Sequence, residues 1–323
     1  MKKILVFSFS FIGDAVLSTA VILPLRKHFP DAHITFLVGP RAVDLLATEP
    51  NIDATLVYDN RGEHAGWKGR LRLIKTLRHE KFDLVVNLRD SLTARCIGAK
   101  HWGMVRGESN RHAVPRYLEV LQHHGVDTTD AHPRLALTEA ENTEASRFLA
   151  DAGFMSEQLL MGIHPGGNWE YKLWDAENYA LVANAVCKEQ NAAILLFAGP
   201  NERELQAQVA KMMDGPPILV QTENLRHLAA LISTCDVYIG NDTGPMHIAS
   251  AVDTPVIALF GSTNHIRSGP YGEKRTVVQS GIELGCNPCH PGRHPGGCGT
   301  GSCAVIAGIT VEQVLEAAAG YIS

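Results

Sequence analysis

The residues best suited to chemistry in this chain gather in one segment, 240–251. A carboxylate, a hydroxyl, a glycine and an imidazole occur there as Asp242, Thr243, Gly244 and His247, and apolar runs flank the segment on both sides. This pattern predicts a strand, a tight polar turn, a short helix and a second strand. Because N–H groups at the start of a helix bind anions, the segment predicts a phosphate-binding turn at the edge of a parallel sheet.

A second candidate loop covers residues 164–174 and follows an apolar run. Gly166 and Gly167 would let the backbone approach a ligand closely, and Lys172 would bring a positive charge to a phosphate. The spacing of these residues differs from that of a P-loop. The loop therefore predicts either a phosphate contact or a flexible loop with a solvated lysine.

Two further turns each carry an acid that has two interpretations. Asp14 follows Gly13 between the first predicted strand and the first predicted helix. It is either a helix N-cap or a general base at the carboxyl edge of the sheet. Glu202 lies in the turn 199–204, after another predicted strand. There the favoured interpretation is a helix capped at Asn201, with acids in its first turn.

These turns need a scaffold, and the chain alternates predicted strands and helices almost throughout. The alternation begins with a strand at 4–10 and a helix at 15–28, becomes irregular over 100–135 and restarts with a strand at 160–164. It predicts an α/β protein with two doubly wound, Rossmann-like domains that face a cleft.

The domain boundary is predicted close after Gly153, which ends a clear amphipathic helix. The first predicted domain covers residues 1–157. The second covers residues 158–323 and includes a cysteine-rich loop, 285–303, and a terminal helix.

Composition excludes several classes of protein. Of the 323 residues, 45% are hydrophobic and 20% charged, with a formal net charge of −5, which is typical of globular proteins. A mild basic excess between residues 61 and 116 is either ordinary surface variation or a face for an anionic partner. It is too small and too poor in aromatic residues to indicate nucleic-acid binding. Since no secretion signal and no run of about 20 apolar residues is visible, we expect a cytoplasmic protein that can still touch a membrane surface.

The ordered set of motifs resembles glycosyltransferase family 9, the bacterial heptosyltransferases of lipopolysaccharide core assembly. The resemblance covers most of the chain, and it is closer to the second-heptose (heptosyltransferase II) branch than to the first. The matching segments are Gly13-Asp14-Ala15-Val16, His164-Pro165-Gly166 with Lys172 and Trp174, Asp242-Thr243-Gly244-Pro245 with His247, Pro255, Phe260-Gly261 and Gly269-Pro270-Tyr271-Gly272.

The resemblance implies a GT-B fold, with an acceptor bound by the first domain and ADP-heptose by the second. It implies transfer of heptose, with inversion, to an anionic lipid-linked inner-core oligosaccharide. Asp14 would be the general base that takes the proton of the acceptor hydroxyl, and Lys172 would contact the diphosphate. Because a lysine and a helix N-terminus can stabilise the departing diphosphate, catalysis requires no metal or other cofactor.

Further residues are expected to contact the two substrates. The donor would be held by Asp242, Thr243, Gly244 and His247, with Asn168, Glu202 and Glu223 as additional candidates. The carboxylates and phosphates of the acceptor would meet Arg61, Arg89, Arg106 and Arg111. A lipid-linked acceptor would also bring the protein into peripheral contact with the inner membrane face.

Four cysteines crowd together near the end of the chain: Cys286, Cys289, Cys298 and Cys303. In a cytoplasmic protein such crowding indicates either a structural metal knuckle, with zinc or iron, or a set of reduced and unliganded thiols. The spacing matches no standard zinc pattern, so both interpretations stay open.

Three alternatives to this function remain open from the residues alone. The chain could be a nucleotide-sugar binding protein without transferase activity, although such a protein needs no acid at the position of Asp14. It could be a GT-B epimerase, which would act on the nucleotide sugar without an acceptor. It could also be a family 9 transferase with a different sugar or a protein acceptor.

Overall fold

The computed structural model describes residues 2–104, 110–286, 289 and 303–322. The chain divides into two compact units, Met1–Ala136 and Leu137–Ser323. Each unit is built on one parallel sheet with helices between successive strands. This confirms the predicted α/β class and the two doubly wound sheets.

The sheet of the first unit has the strand order β3-β2-β1-β4-β5, with all neighbours parallel. Its strands are β1 (Lys3–Phe7), β2 (His33–Val38), β3 (Ala54–Val57), β4 (Leu84–Asn87) and β5 (Lys100–Gly103). Its helices are α1 (Ile12–Ser18), α2 (Ile22–His28), α3 (Val43–Leu46), α4 (Gly66–His79), α5 (Leu92–Arg95) and α6 (Ala113–Gln122), with a 3-10 turn at Thr19–Val21. The central strand β1 is apolar because helices cover both of its faces.

The sheet of the second unit has the strand order β11-β10-β9-β6-β7-β8, again with all neighbours parallel. Its strands are β6 (Leu160–His164), β7 (Ala193–Ala198), β8 (Ile218–Gln221), β9 (Val237–Asn241), β10 (Val256–Leu259) and β11 (Arg275–Val278). Its helices are α7 (Glu139–Asp151), α8 (Ala176–Gln190), α9 (Arg203–Met212), α10 (Leu225–Ser233), α11 (Gly244–Ala251), α12 (His265–Ser268), α13 (Ala304–Ala307) and α14 (Val311–Ile322), with a 3-10 turn at Glu170–Lys172.

Each sheet has one point where the chain reverses its direction of winding. In the first unit this switch lies between β1 and β4, and in the second it lies between β6 and β9. Ligands of open α/β sheets bind in the crevice outside the carboxyl ends of the strands at such a point. The turns that carry Asp14, Lys172 and Asp242 all follow strands beside a switch point.

Along the chain, the boundary between the compact units lies before helix α7, whereas the predicted boundary follows that helix. The reason is a set of contacts between α7 and α10 inside the second unit, which include an edge-on contact between the rings of Phe148 and His227 and an ion pair. The guanidinium of Arg226 donates to both carboxylate oxygens of Glu141, from Nε at 2.7 Å and from Nη2 at 2.5 Å. Helix α7 therefore packs with the elements that follow it in the chain.

Strands β5 and β11 were not predicted. Both lie at an outer edge of their sheet and pair with a single neighbour. Neither is a continuous apolar run, and β5 falls in the stretch that the sequence pattern left irregular. Within the described part of the chain, no helix is both long and apolar enough to cross a bilayer.

Candidate active site

The loop after β6 begins with a contact between a buried imidazole and a half-buried carboxylate. His164, the last residue of β6, places Nε2 2.9 Å from a carboxylate oxygen of Glu202, and that oxygen also accepts the N–H of Gly199 at 2.7 Å. Burial alone would raise the pKa of Glu202, but the hydrogen bond and charge of His164, with N–H groups of Gly199 and Gly167, lower that pKa to about 2. Glu202 is therefore a carboxylate at any physiological pH.

Helix α9 begins at Arg203, with Glu202 rather than Asn201 as its N-cap residue. The Glu202 side chain does not cap its own helix and turns instead to His164. The favoured interpretation of a helix capped at Asn201 was therefore wrong. The carboxylate joins the end of β6 to the turn after β7.

The two glycines of the loop are required by close packing. A Cβ atom at Gly166 would lie 2.3–2.5 Å from the carboxyl group of Glu202, and one at Gly167 would lie 3.1 Å from the Thr243 methyl group. Any side chain at Gly166 would displace Glu202, so the backbone alone occupies this place. The loop lies against both the β7 turn and the β9 turn.

Asn241 ties these turns together from the end of β9. Its side chain is fully buried, and its amide N–H groups donate to the carbonyls of Pro165 at 2.8 Å and Gly166 at 3.2 Å. Its side-chain oxygen accepts hydrogen bonds from the backbone N–H of Trp174 at 3.3 Å and from the hydroxyl of Tyr179 at 2.9 Å. One amide thus fixes both ends of the loop that carries Lys172.

Lys172 and Asp242 meet at the start of the next turn. The Lys172 ammonium donates to Asp242 Oδ2 at 2.6 Å and to the Asp242 carbonyl at 3.1 Å. The hydroxyl of Thr263, in the loop after β10, donates to the same Oδ2 at 2.7 Å. Both partners of the ion pair are largely buried. The alternative of a solvated Lys172 on a flexible loop is therefore wrong.

Helix α11 begins directly after this pair. Thr243 is its N-cap residue, Gly244 its first residue and His247 a buried residue of its second turn. The Thr243 hydroxyl oxygen is buried and has no hydrogen-bond partner among the described residues. Since the first N–H groups of a helix also lack partners within it, this helix start presents donors to an anion.

Two predicted donor contacts lie apart from this group. Asn168 is exposed at the tip of the loop after β6, and Glu223 is exposed in the turn between β8 and α10. Within residues 137–286, neither side chain forms a hydrogen bond or an ion pair with Lys172 or Asp242. The structure brings together Lys172, Asp242, Thr243, Gly244, His247 and Glu202, all beside the β6/β9 switch.

In the first unit, Asp14 lies in the first turn of α1, directly after β1, and is half-buried. The N-cap residue of α1 is Phe11, whose side chain makes no capping hydrogen bond. The interpretation of Asp14 as an N-cap is therefore wrong. Asp14 lies at the N-terminus of a helix, and this helix starts at the carboxyl edge of the sheet. The prediction that Asp14 is a general base therefore stays a prediction.

Two of the four predicted arginines flank the loop between β1 and α1. Arg89, which follows β4, places its guanidinium carbon 5.8 Å from the ring centre of Phe9 and 5.4 Å from that of Tyr58. Arg61 lies 5.8 Å from the ring centre of Phe11. These contacts hold two positive charges beside the loop that leads to Asp14.

The other two predicted arginines are placed differently. Arg111, just before α6, forms an ion pair with Glu119 of that helix, so its charge is balanced within the unit. Arg106 lies outside the described residues.

Three of the four clustered cysteines are described. Cys303 is buried at the start of α13, Cys286 and Cys289 are half-buried, and the Cys289 N–H donates to the Ser262 carbonyl at 2.7 Å. Across the described residues, no three His, Cys, Asp or Glu side chains are grouped as metal ligands. Cys298 lies outside those residues, so a zinc or iron knuckle and unliganded thiols both stay predictions.

A helix start that can bind an anion, at the switch point of a doubly wound sheet, is a typical ligand site of α/β proteins. A family model described as glycosyltransferase family 9 (heptosyltransferase) matches residues 70–295. The chain belongs to this family and is a glycosyltransferase.

Relatives and solved structures agree with this assignment. Lipopolysaccharide heptosyltransferase 3 of Escherichia coli K12 is 32% identical over 81% of this chain and 83% of its own length. Lipopolysaccharide core heptosyltransferase OpsX of Haemophilus influenzae is 30% identical over 86% of this chain and 84% of its own. The crystal structure of a family 9 glycosyl transferase from Veillonella parvula is 28% identical, covers 99% of this chain and 97% of its own, and superposes with a TM-score of 0.85.

The predicted GT-B fold is confirmed by these structural matches. The branch within the family is less sharply defined. Relatives named heptosyltransferase 2, from Haemophilus influenzae and Escherichia coli, are 26% and 23% identical. These values lie below the 32% of heptosyltransferase 3, so identity does not single out the heptosyltransferase II branch.

Sequence reasoning did not assign a role to Asn241, Thr263 or His164. Asn241 stands at the end of an apolar strand, where a buried amide must find hydrogen-bond partners. The sequence therefore did carry a signal that Asn241 joins neighbouring segments. The hydroxyl of Thr263 carries no comparable signal, because a threonine after a strand is common in turns.

Proposed function

We propose that this protein transfers heptose from ADP-heptose to an anionic, lipid-linked inner-core oligosaccharide of lipopolysaccharide, with inversion at the anomeric carbon. The relatives named above are lipopolysaccharide heptosyltransferases. A structure of the Escherichia coli heptosyltransferase WaaC, with the same fold, contains ADP-2-deoxy-2-fluoro heptose. The observation that carries the proposal is the Lys172–Asp242 pair at the start of α11.

On the donor side, this pair suits a diphosphate leaving group. Lys172 supplies a positive charge whose position is set by Asp242, and the N–H groups at the start of α11 supply further donors. Negative charge grows on the diphosphate as the bond to the sugar breaks. Donors already fixed in place stabilise that charge without reorganising. Thr243 and His247 would make further contacts with the donor.

On the acceptor side, Asp14 would accept the proton of the attacking hydroxyl. Asp14 follows the central strand β1, at the carboxyl edge of the first sheet. A ligand bound at the switch point of this sheet would lie at the same edge. Arg61 and Arg89, beside the same loop, suit carboxylates and phosphates of an anionic acceptor. Inversion follows from a single in-line displacement with one base.

The test replaces Asp14 with Asn and measures ADP release from ADP-heptose with candidate inner-core acceptors. We expect the Asp14→Asn variant to lose turnover by at least about a hundredfold, while its affinity for ADP stays within about twofold. The matched control is Asp31→Asn, which changes an exposed aspartate of the same unit and should keep full activity.

Two outcomes would contradict the proposal. Tight ADP binding by the unaltered protein without ADP release for any acceptor would indicate a nucleotide-sugar binding protein. Conversion of the donor in the absence of any acceptor would indicate an epimerase. Cell fractionation would test the further proposal that the protein acts in the cytoplasm, at the inner membrane face.

A further inference from the structure

Among the described residues of the first unit, five large apolar side chains are exposed, and the four most exposed of them form one surface. Phe11 is 59% exposed, Trp67 69%, Leu71 55% and Leu92 74%. Phe11 follows β1, Leu92 begins α5 after β4, and Trp67 lies in the first turn of α4, which follows β3. Because the carboxyl ends of parallel strands meet at one edge of a sheet, these three starting points share the edge that carries Asp14.

Helix α4 has an apolar inner stripe and a basic outer face. Gly69, Leu73 and Leu77 are buried at a spacing of four residues, which fixes the face that packs on the sheet. Trp67 and Leu71 are also four residues apart and lie side by side on the outside. The helix contains no acidic residue, and its lysines and arginines are Lys68, Arg70, Arg72, Lys75 and Arg78.

Most of this positive charge is not balanced within the unit. Arg72 approaches Glu63 at 3.9 Å, with both side chains more than half exposed, and such a pair contributes little. Arg78 donates to the carbonyl of Cys96 at 2.9 Å, and this hydrogen bond holds α4 beside the end of α5. Because a carbonyl carries no net charge, the positive charge of Arg78 is not neutralised by this contact. Among the acids of the described residues, none forms an ion pair with Lys68, Arg70 or Lys75.

We propose that this surface docks on an anionic lipid bilayer. We call it the docking face and define it by Phe11, Trp67, Leu71, Leu92, Lys68 and Lys75. Aromatic and aliphatic side chains that project among lysines are the pattern of a helix lying in a membrane interface. The apolar groups enter the boundary of the acyl chains, while the lysine stems extend towards the headgroups. Each nearby cation adds attraction to anionic lipid.

Charge favours a bilayer over a second copy of the chain as the occupant. A twofold dimer through the docking face would bring the same cations of both copies together. A highly charged glycan would account for the lysines but not for the four exposed aliphatic or aromatic side chains beside them. A bilayer with anionic headgroups satisfies both parts of the surface.

This inference rests on the proposed function in one respect, namely that the acceptor is linked to a lipid. The loop with Phe11 leads directly into α1 and Asp14. Docking would therefore turn the acceptor edge of the first sheet towards the membrane that holds the acceptor. The enzyme would search for its substrate along a surface instead of through the whole cytoplasm.

The experiment measures co-sedimentation of the full chain with vesicles of phosphatidylcholine that contain 30% phosphatidylglycerol. Vesicles of phosphatidylcholine alone serve as the uncharged comparison. We expect binding to the anionic vesicles, about tenfold weaker binding for Trp67→Ala/Leu71→Ala, and a loss of about tenfold or more for Lys68→Gln/Lys75→Gln. The control Leu181→Ala/Leu219→Ala removes two side chains of the second unit that are each 47% exposed, and it should bind as the unaltered protein does.

A fluorescence measurement keeps the inference falsifiable if binding is weak. The chain has four tryptophans, and Trp102 and Trp174 are buried, so insertion of Trp67 should shift the emission to shorter wavelength when anionic vesicles are added. The shift should vanish in Trp67→Phe. Vesicle binding that both double variants retain, or an unchanged emission spectrum, would overturn the proposal, as would a dimer that the Trp67→Ala/Leu71→Ala variant dissociates.

Failure of the docking face can be told apart from failure of the proposed function. Transfer to a deacylated, soluble acceptor needs no membrane, so both double variants should catalyse it at the rate of the unaltered protein. Transfer without vesicle binding would overturn the docking face and leave the function standing. Vesicle binding without transfer to any acceptor would overturn the proposed function and leave the docking face standing.

Discussion

A single carboxylate oxygen organises the charges of the candidate donor site. Oδ2 of Asp242 accepts from Lys172 at 2.6 Å and from Thr263 at 2.7 Å. Without the second donor, the carboxylate could rotate towards the lysine alone and carry the ammonium with it. If the proposed donor site is correct, Thr263 is a positioning residue, since its hydroxyl contacts Asp242 and would act on the donor through that carboxylate.

Replacement of Thr263 by valine should weaken the binding of ADP. Valine keeps the shape and removes one hydrogen bond to a charged group, so we expect an increase in the Kd for ADP of about threefold to tenfold. Isothermal titration calorimetry measures this change. Thr263→Ser retains the hydroxyl and should bind like the unaltered protein. Equal affinities for the valine and serine variants would show that Thr263 does not position Asp242.

At the scale of elements, Asn241 joins strand β9 to the loop after β6 and to helix α8. Its amide has two donors and one acceptor oxygen, and all are used inside the fold. The donors face two carbonyl oxygens, Pro165 and Gly166, so only a neutral amide suits this place. The requirement is electrostatic as well as steric.

The isosteric change Asn241→Asp should therefore destabilise the protein strongly. It would bury a carboxylate against two carbonyl oxygens, and we expect a loss of at least about 3 kcal/mol in the free energy of unfolding at pH 7. The control Tyr179→Phe removes one hydrogen bond to the same amide but leaves the Trp174 N–H as a partner, at a cost of about 1 kcal/mol. Urea unfolding measures both. A stable aspartate variant would contradict the role assigned to the amide.

The sequence predicts those parts of the fold and of the site that are encoded by neighbouring residues, and it does not predict the parts that depend on contacts between distant segments. The parallel sheets, the helices that cover them and the turns with Lys172 and Asp242 follow from apolar runs and short polar turns. The edge strand β5 does not, because a strand with one partner needs no continuous apolar run. Which turns come together is equally non-local. Thr263 and Asp242 are brought into contact only by the adjacency of β9 and β10. Likewise, Phe11 stands at the N-cap position of α1 without capping it, against the usual preference for a polar residue there.

At the scale of the whole molecule, the Glu141–Arg226 pair is one of the contacts that join helix α7 to the second unit. The hydrogen bond to Arg226 lowers the pKa of Glu141, burial opposes that effect, and Thr138 assists it, so that the pKa falls from 4.5 to about 2. A folded-state pKa below the unfolded value means that this contribution is fully present above about pH 4.5. It is lost as the pH falls from there towards 2.

Glu141→Gln should destabilise the second unit by about 3 kcal/mol at pH 7. The difference from the unaltered protein should shrink as the pH is lowered to 3, because the carboxyl group is then protonated in the unfolded state. Urea unfolding at both pH values measures this, with hydrogen exchange of α7 and α10 to locate the effect. Glu139→Gln, an exposed change in the same helical turn, should cost less than about 1 kcal/mol. A difference that stays constant between pH 7 and pH 3 would contradict the linkage.

The contiguity of the two units bears on how the protein is made. All five strands of the first sheet end by Gly103, and the unit closes at Ala136, before the first strand of the second sheet begins at Leu160. In the described part of the chain, neither sheet takes a strand from the other unit. On the ribosome, the first unit can therefore complete its sheet while the second is still being synthesised. No strand edge in the first sheet has to wait for a later segment of the chain, which removes one route to misassembly during translation.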